Sequence, residues 1–269
     1  MSQTRSDLRT IQPSARIALL SDIHGTSSDL DLSRLRARRL QQAIEAINGE
    51  CPDAVLVAGD LTENGDREDL AGIRTRLDLL NAPWYAVPGN HDVGPKAGIA
   101  DDQPTSIGTA AYEEVMGPSC YTATVGPVRI TGLNTSLLGS GLPEESAQWR
   151  TVERDAEPLP GPFRILLLHY PLFADHEREE AGSYWSLDPE PRQRLMAAIL
   201  RADHHLIVSG HLHRPFVREW RGRALIGAPA IAFGLPPNDR SVGWMRLTVG
   251  GDGRVTAEER PLAVADEVR

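Results

Sequence analysis

The chain repeats one phrase: a short apolar run that stops abruptly at His or Asp, usually beside glycine. Ala15–Leu20 leads into Ser21-Asp22-Ile23-His24-Gly25, and Ala54–Ala58 leads into Gly59-Asp60. Trp84–Val87 leads into Pro88-Gly89-Asn90-His91-Asp92, residues 165–168 into His169, and residues 206–208 into Ser209-Gly210-His211-Leu212-His213. Short apolar runs bounded by turn formers read as buried strands followed by loops. Between the runs lie segments with helical spacing. Leu32, Leu35, Leu40, Ile44 and Ile47 make one apolar stripe, which Asn48-Gly49 is expected to end; residues 66–80 make a second. A third covers residues 191–201, where Leu195, Met196, Ile199 and Leu200 form the apolar face and Pro191 suits a first turn.

This is β-α-β grammar, but it does not hold throughout. Residues 121–134 and 216–256 carry short β-type runs broken by glycine and proline, with no helix between them. The sheets are therefore expected to be mixed. No repeat or low-complexity tract divides the chain. A single domain over residues 15–260 is expected, with a polar tail at 1–14 and a surface tail at 261–269.

With 269 residues, 41% hydrophobic and 24% charged, the chain can bury a sizeable α/β core. No run approaches the roughly 20 apolar residues of a membrane span, and residues 1–14 lack a hydrophobic leader core, so the expected location is cytoplasmic and away from membranes. Cys51 and Cys120 are the sole cysteines, too few for a disulfide framework, and are expected to be small core residues. A formal charge of -9 argues against a general nucleic-acid binder or a nuclease, whose affinity comes from basic surface. A small anionic substrate is compatible with it. Of 28 basic residues only Lys96 is lysine. The oligomeric state is not legible.

Polar residues at strand ends converge in open α/β sheets although they are far apart in sequence. Asp22 and His24 are two apart, as are His211 and His213, so in extended backbone each pair would point to one side and could chelate. With Asp60, Asn90 and His169 they give seven nitrogen and oxygen donors, which suit borderline divalent ions such as Mn, Fe, Zn or Ni better than Ca. Two divalent ions would bring four positive charges against three negative ones from Asp22, Asp60 and a bridging hydroxide. The excess can hold a phosphate on an acidic protein.

Asp22-Ile23-His24, Gly59-Asp60, Gly89-Asn90-His91-Asp92, His169 and Gly210-His211-Leu212-His213 resemble, in this order, the five signatures of the calcineurin-like metallophosphoesterases. The resemblance implies a four-layer α/β/β/α sandwich with two mixed β-sheets. It implies two metal ions (Mn, Fe or Zn), one held by Asp22, His24, Asp60 and His213, the other by Asp60, Asn90, His169 and His211, with Asp60 as the bridge. It further implies that His91 contacts the phosphate or leaving oxygen, and that Asp92 orients and charges its imidazole. The activity implied is hydrolysis of a small phosphorylated substrate by a metal-activated water. His176, His204 and His205 match no signature and are expected to be exposed or structural.

The segment Gly59-Asp60-Leu61-Thr62-Glu63 lacks the arginine of the phosphoprotein phosphatases, and is similar to bacterial phosphodiesterases acting on cyclic nucleotides or glycerophosphodiesters. A phosphomonoesterase on a small metabolite is the alternative, and a non-catalytic scaffold of the same fold a minor one. Substrate choice is expected in the loops at residues 25–31, 93–109 and 173–189, with Tyr184 and Trp185 as candidates for stacking on the substrate.

Overall fold

The computed structural model describes residues 15–99, 103–155, 162–236 and 242–263. Strands and helices begin in alternation: β1 (Ala15–Leu20), α1 (Leu30–Glu50), β2 (Ala54–Ala58), α2 (Arg67–Leu77), β3 (Trp84–Val87) and the single turn α3 (Asn90–Val93). Then come α4 (Ser106–Met116), β4 (Tyr121–Val125), β5 (Val128–Gly132), α5 (Pro143–Asp155), β6 (Phe163–Leu167), α6 (Pro189–Ala202) and β7 (Leu206–Ser209). The chain finishes in strands only: β8 (Phe216–Trp220), β9 (Arg223–Gly227), β10 (Gly243–Val249) and β11 (Val255–Pro261).

Two sheets result, ordered β11-β10-β1-β2-β3 and β4-β5-β6-β7-β9-β8. Both are mixed: β1, β2 and β3 run parallel, as do β5, β6, β7 and β9, while β10, β11, β4 and β8 join antiparallel. The period of two along each strand sorts its side chains between layers. Ile17, Leu19, Leu56 and Ala58 meet Ile165, Leu167, Leu206 and Val208 in a core between the sheets. Their neighbours Ala18, Leu20, Val55 and Val57 face the other way, onto Leu40, Ile44 and Ile47 of α1 and Leu70, Ile73 and Leu77 of α2. On the second sheet, Leu166, Leu168 and Ile207 turn outward to Trp149 and Val152 of α5 and to Leu195 and Ile199 of α6. The layering is helix, sheet, sheet, helix. It explains why the strands read as unbroken apolar runs, since both faces are covered.

Four local expectations are corrected. Helix α1 runs through Asn48-Gly49 and ends at Cys51, which takes the left-handed conformation at φ 49° and is exposed rather than in the core. Asn48 is engaged in tertiary bonds: its amide donates to the Leu79 carbonyl at 2.9 Å, and its oxygen accepts from Asn81 N–H at 2.8 Å. Helix α6 begins at Pro189, so both prolines sit in its first turn. Of the predicted tails, residues 1–14 and 264–269 lie outside the described residues, but Leu262 is buried in the α1–α2 core and its N–H donates to the Val242 carbonyl at 2.9 Å. No described helix is long and apolar enough to cross a membrane.

Leu56, fully buried between the sheets, and Leu79, half-exposed at the surface, are the same residue type in opposite settings. Leu56→Ala is expected to lower unfolding free energy by about 2–5 kcal/mol. Leu79→Ala should stay within about 0.5 kcal/mol, both read by urea denaturation at constant m-value.

Candidate metal centre

The five motifs leave the carboxyl ends of β1, β2, β3, β6 and β7, where parallel strands shed their last carbonyls and the chain must turn. The turns are sharp. Asp22, His24, Asp60, His211 and His213 all have positive φ, between 49° and 68°, a region that non-glycine residues enter at a cost. The other non-glycine residues there, among those described, are Cys51 and Asp203 at helix ends and Arg221 in the β8–β9 turn. The extended-backbone account of the Asp-x-His and His-x-His pairs is thereby corrected. Left-handed residues aim these side chains inward, and His211 and His213 diverge to different clusters.

Backbone bonds hold the strained turns together. Asp22 N–H donates to Gly59 O at 3.0 Å, and Ile23 and His24 N–H both donate to Asp60 O, at 2.8 and 2.9 Å. Ala232 N–H donates to Asp22 O at 2.9 Å, and Gly210 N–H to His169 O at 3.1 Å. The motif glycines are needed for space. A Cβ on Gly210 would lie 1.8 Å from Ser21 Oγ and 2.9 Å from Asp22 Oδ2, and one on Gly59 would lie 2.5 Å from His169 Nδ1.

Two fully buried donor clusters result, Asp22, His24, Asp60 and His213, and Asp60, His169 and His211, beside a partly exposed group of His24, Glu63 and His91. Asp60 belongs to both. Its Oδ2 lies 3.7 Å from His24 Nε2 and 3.3 Å from His169 Nε2. Asp22 Oδ1 lies 3.3 Å from His213 Nε2, and Asn90 Oδ1 lies 3.0 Å from His169 Nε2, which puts the amide oxygen in the second cluster. All seven predicted donors therefore converge.

The imidazoles fit a cation better than they fit one another. His169 Nδ1 sits 2.8 Å from Ala58 O, His213 Nδ1 2.7 Å from Phe233 O, and His211 Nε2 2.9 Å from Tyr184 O. A carbonyl can only accept, so each of these nitrogens carries a proton, and the opposite nitrogen is the one left to face the donor clusters. His24 Nδ1 faces Glu63 Oε2 at 3.4 Å, and its Nε2 lies 3.2 Å from His213 Nε2. Borderline divalent ions bind neutral imidazole at about 2.0–2.1 Å, and two ligands of one such ion stand about this far apart. Mutual electrostatics agree. Burial opposes ionisation of Asp22, yet His213 and His169 bring its pKa below the ordinary value; Asp60 is lowered against burial by His169 and His24. Burial would lower His169, but Asp60 raises it to about 9, whereas burial and His169 push His211 down to about 3. His169 thus takes up the proton that a cation would displace.

Sequence reasoning missed Glu63, Arg36 and Phe233. Arg36, buried on α1, donates to the His24 carbonyl at 2.7 Å and to Glu63 Oε2 at 2.6 Å. Hydrogen bonding from His24, with Arg36 adding to it, outweighs burial and holds the Glu63 carboxyl at about 2. Phe233 packs its ring 5.1 Å from His24 and 4.6 Å from His213. No motif marks these residues, because their roles depend on loops meeting in space.

His91 stands beside the clusters with its side chain 32% exposed, its ring 4.7 Å from His24 and its Nδ1 2.8 Å from Glu63 O. The expected Asp92 contact to that imidazole gives way to another arrangement. Asp92 Oδ1 accepts from Thr62 N–H and Oγ1, each at 2.9 Å, and Oδ2 accepts from Leu61 N–H at 3.0 Å and Gly89 N–H at 2.8 Å. Its lone pairs knit two motif loops together, and Glu63 orients His91. Tyr184 and Trp185 lie over His211, with centroids 4.9 and 5.9 Å from its ring, and both are exposed. Of the unassigned histidines, His176 is exposed, His204 is buried against Asp155 at 3.7 Å, and His205 stacks on Phe163.

Since His169 is raised to about 9, a divalent ion entering at Nε2 must displace a proton at neutral pH. Apparent affinity should climb with pH from about 6 to about 8 and level off above about 9, with net proton release near neutrality. Calorimetric zinc titrations in buffers of different ionisation enthalpy measure this, and pH-independent affinity would contradict it.

A glycerophosphodiester phosphodiesterase named as probable in Arcobacter nitrofigilis is 30% identical over 179 residues, covering 63% of this chain and 59% of that protein. The 3',5'-cyclic adenosine monophosphate phosphodiesterase of Escherichia coli is 24% identical over 225 residues, 78% of this chain and 75% of that one. Among solved structures, a dimetal phosphatase from Danio rerio superposes with a TM-score of 0.62 at 14% identity, covering 92% of this chain and 96% of that chain, a likeness of fold. The chain spans little more than half the length of the first relative. The sequence profile of calcineurin-like phosphoesterases matches residues 15–215, a stretch that contains every donor described above, and this chain belongs to that family.

Proposed function

We propose that the chain is a metal-dependent phosphoesterase acting on a small phosphodiester. The observation that carries the reading is the pair of donor clusters sharing the Asp60 carboxylate, with a half-exposed imidazole beside them. Asp22, His24, Asp60 and His213 would hold one divalent ion, and Asp60, Asn90, His169 and His211 the other. Two such ions supply a nucleophilic water at neutral pH, polarise the phosphoryl oxygens and offset charge during in-line displacement.

The remaining work falls to the chain's own groups. His91 donates from Nδ1 to the Glu63 carbonyl, so in its imidazolium form Nε2 holds the proton that would pass to the departing alkoxide, leaving the neutral Nδ1–H tautomer. Its backbone N–H donates to Asp60 Oδ1 at 2.9 Å, tying the acid to the shared carboxylate. Asp92 acts through the loops it binds, keeping α3 in register with residues 59–62. Tyr184 and Trp185 offer apolar faces beside the second cluster, suited to an organic substituent of the ester. The diester preference draws support from the glycerophosphodiester and cyclic-nucleotide relatives and from those rings. The full set of donors speaks against a non-catalytic scaffold.

His91→Ala should retain two equivalents of metal by elemental analysis while kcat falls by about 10²–10⁴-fold, the usual contribution of a positioned acid. Loss of metal in that variant would make His91 a ligand instead. Across aryl monoesters, bis-aryl diesters, cyclic nucleotides and glycerophosphodiesters, after loading with Mn, Fe or Zn, the diesters should turn over best; a monoester preference would overturn the substrate class. Replacing Tyr184 and Trp185 together by Ala should raise KM for aromatic diesters by about tenfold, as loss of two stacking faces implies. An unchanged KM would remove the stacking role.

A further inference from the structure

Lys96 is the chain's one lysine, and it is 1% exposed. Lysine ordinarily buries its stem and keeps its ammonium in water, so a fully buried one needs a dedicated counter-charge. Asp188 provides it, with Oδ2 at 2.6 Å from Nζ. Asp188 occupies the N-cap of α6, where an Asp side chain ordinarily accepts from the first free amides, yet it makes no capping bond. Its carboxylate turns away from the helix: Oδ2 takes Lys96, and Oδ1 accepts from Gly182 N–H at 2.8 Å.

This link joins the two loops that border the second donor cluster. Lys96 follows α3, the turn carrying Asn90 and His91. Gly182 precedes Tyr184, whose carbonyl accepts from His211 Nε2 at 2.9 Å and whose hydroxyl is 3.5 Å from Asn90 Nδ2. The chain from Asn90 to Lys96, the Lys96–Asp188 and Asp188–Gly182 bonds, and the approach of Tyr184 to Asn90 close a ring, which His211 joins at the Tyr184 carbonyl. The base of the same loop is secured separately. Glu179 accepts from Ala174 N–H and Ser186 Oγ, and the buried Arg192 donates to the carbonyls of Leu187 and Glu179. Among the described residues, the hydrogen bonds that tie residues 182–185 to the surrounding structure come from Asp188, His211 and Asn90.

The geometry points to Lys96 as a positioning residue: through Asp188 it fixes the Tyr184–Trp185 wall and the Tyr184 carbonyl that sets which nitrogen of His211 faces inward. It therefore governs affinity for the second metal equivalent and binding of an organic ester group, without touching either. The substrate half rests on the phosphoesterase reading above, and the metal half stands without it.

The test compares the full chain with Lys96→Met, Lys96→Arg, Asp188→Asn and the double variant Lys96→Met/Asp188→Asn. Affinities for both zinc equivalents are measured by chelator competition, KM and kcat on a bis-aryl phosphodiester, and the melting midpoint by scanning calorimetry. Lys96→Met and Asp188→Asn should each weaken the second zinc equivalent by about 10–100-fold, as loss of an outer-shell partner does, and leave the first within about twofold. KM should rise by about tenfold with kcat within about threefold, the mark of a displaced binding wall. The double variant should be no worse than the worse single one, because one link is broken either way. Lys96→Arg should recover part of both effects. Unchanged second-site affinity and KM would overturn the proposal, as would equal loss of both zinc equivalents together with a fall in melting midpoint. If Lys96→Met does not fold, Asp188→Asn and Lys96→Arg carry the same comparison. Absence of turnover in the unaltered chain would sink the phosphoesterase reading, while the zinc titrations would still decide the part played by Lys96.

Discussion

Asp60 is the point at which the motif loops meet. Its carbonyl accepts two amides from the loop after β1, its Oδ1 accepts the His91 amide from the loop after β3, and its Oδ2 stands between His24 and His169. One buried residue, through its carbonyl and its carboxylate, thereby fixes three of the five motif loops relative to one another. Two buried carboxylates so close together repel, and each would be costly without cations. The histidines supply partial compensation, which is why His169 holds its proton to about 9 although burial works against it. A donor set that draws in protons this strongly is organised for something more positive than imidazole.

The layered fold makes that arrangement sustainable. Five of the donors occupy left-handed backbone conformations, each costing on the order of 1–3 kcal/mol. Such strain persists only where the surroundings over-determine it. Here the strands leading into those turns are buried on both faces, between the helices and the inter-sheet core, so they cannot slide to relax them. The glycines beside the donors complete the constraint, since the space a Cβ would fill at Gly59 and Gly210 already belongs to His169 and to Ser21 with Asp22. Strain, packing and close approach all peak at the same strand ends.

This concentration explains what could be read from sequence. Strand ends carrying His, Asp and Gly follow from local pattern, so β1, β2 and β3 coincide with the expected runs, and the buried donor clusters are drawn from the expected Asp and His residues. What escaped reading depends on chain crossings. Asn48 looked like a helix stop because nothing in the sequence tells that residues 79–81 bind its side chain. The family resemblance implies Asp92 as a partner for His91, but α3 turns its carboxylate toward residues 61–62. Glu63 does the orienting instead, partly through a backbone carbonyl that any residue type would offer. Roles played by carbonyls leave no trace in composition or spacing.

The two sides of the centre differ in how firmly they are held. On the first, Arg36, Glu63 and Phe233 back the His24–His213 pair with a partly buried ion pair and a packed ring. On the second, His211 takes its outer partner from a loop whose own aromatic side chains are exposed. Loops tolerate change that cores do not, so a superfamily can vary the ester it accepts by altering this side and leave the first intact. On the proposed reading, metal affinity and substrate fit share one anchor: whatever moves Tyr184 also moves the carbonyl that sets His211, so a loop change that widened the pocket would weaken the second ion with it.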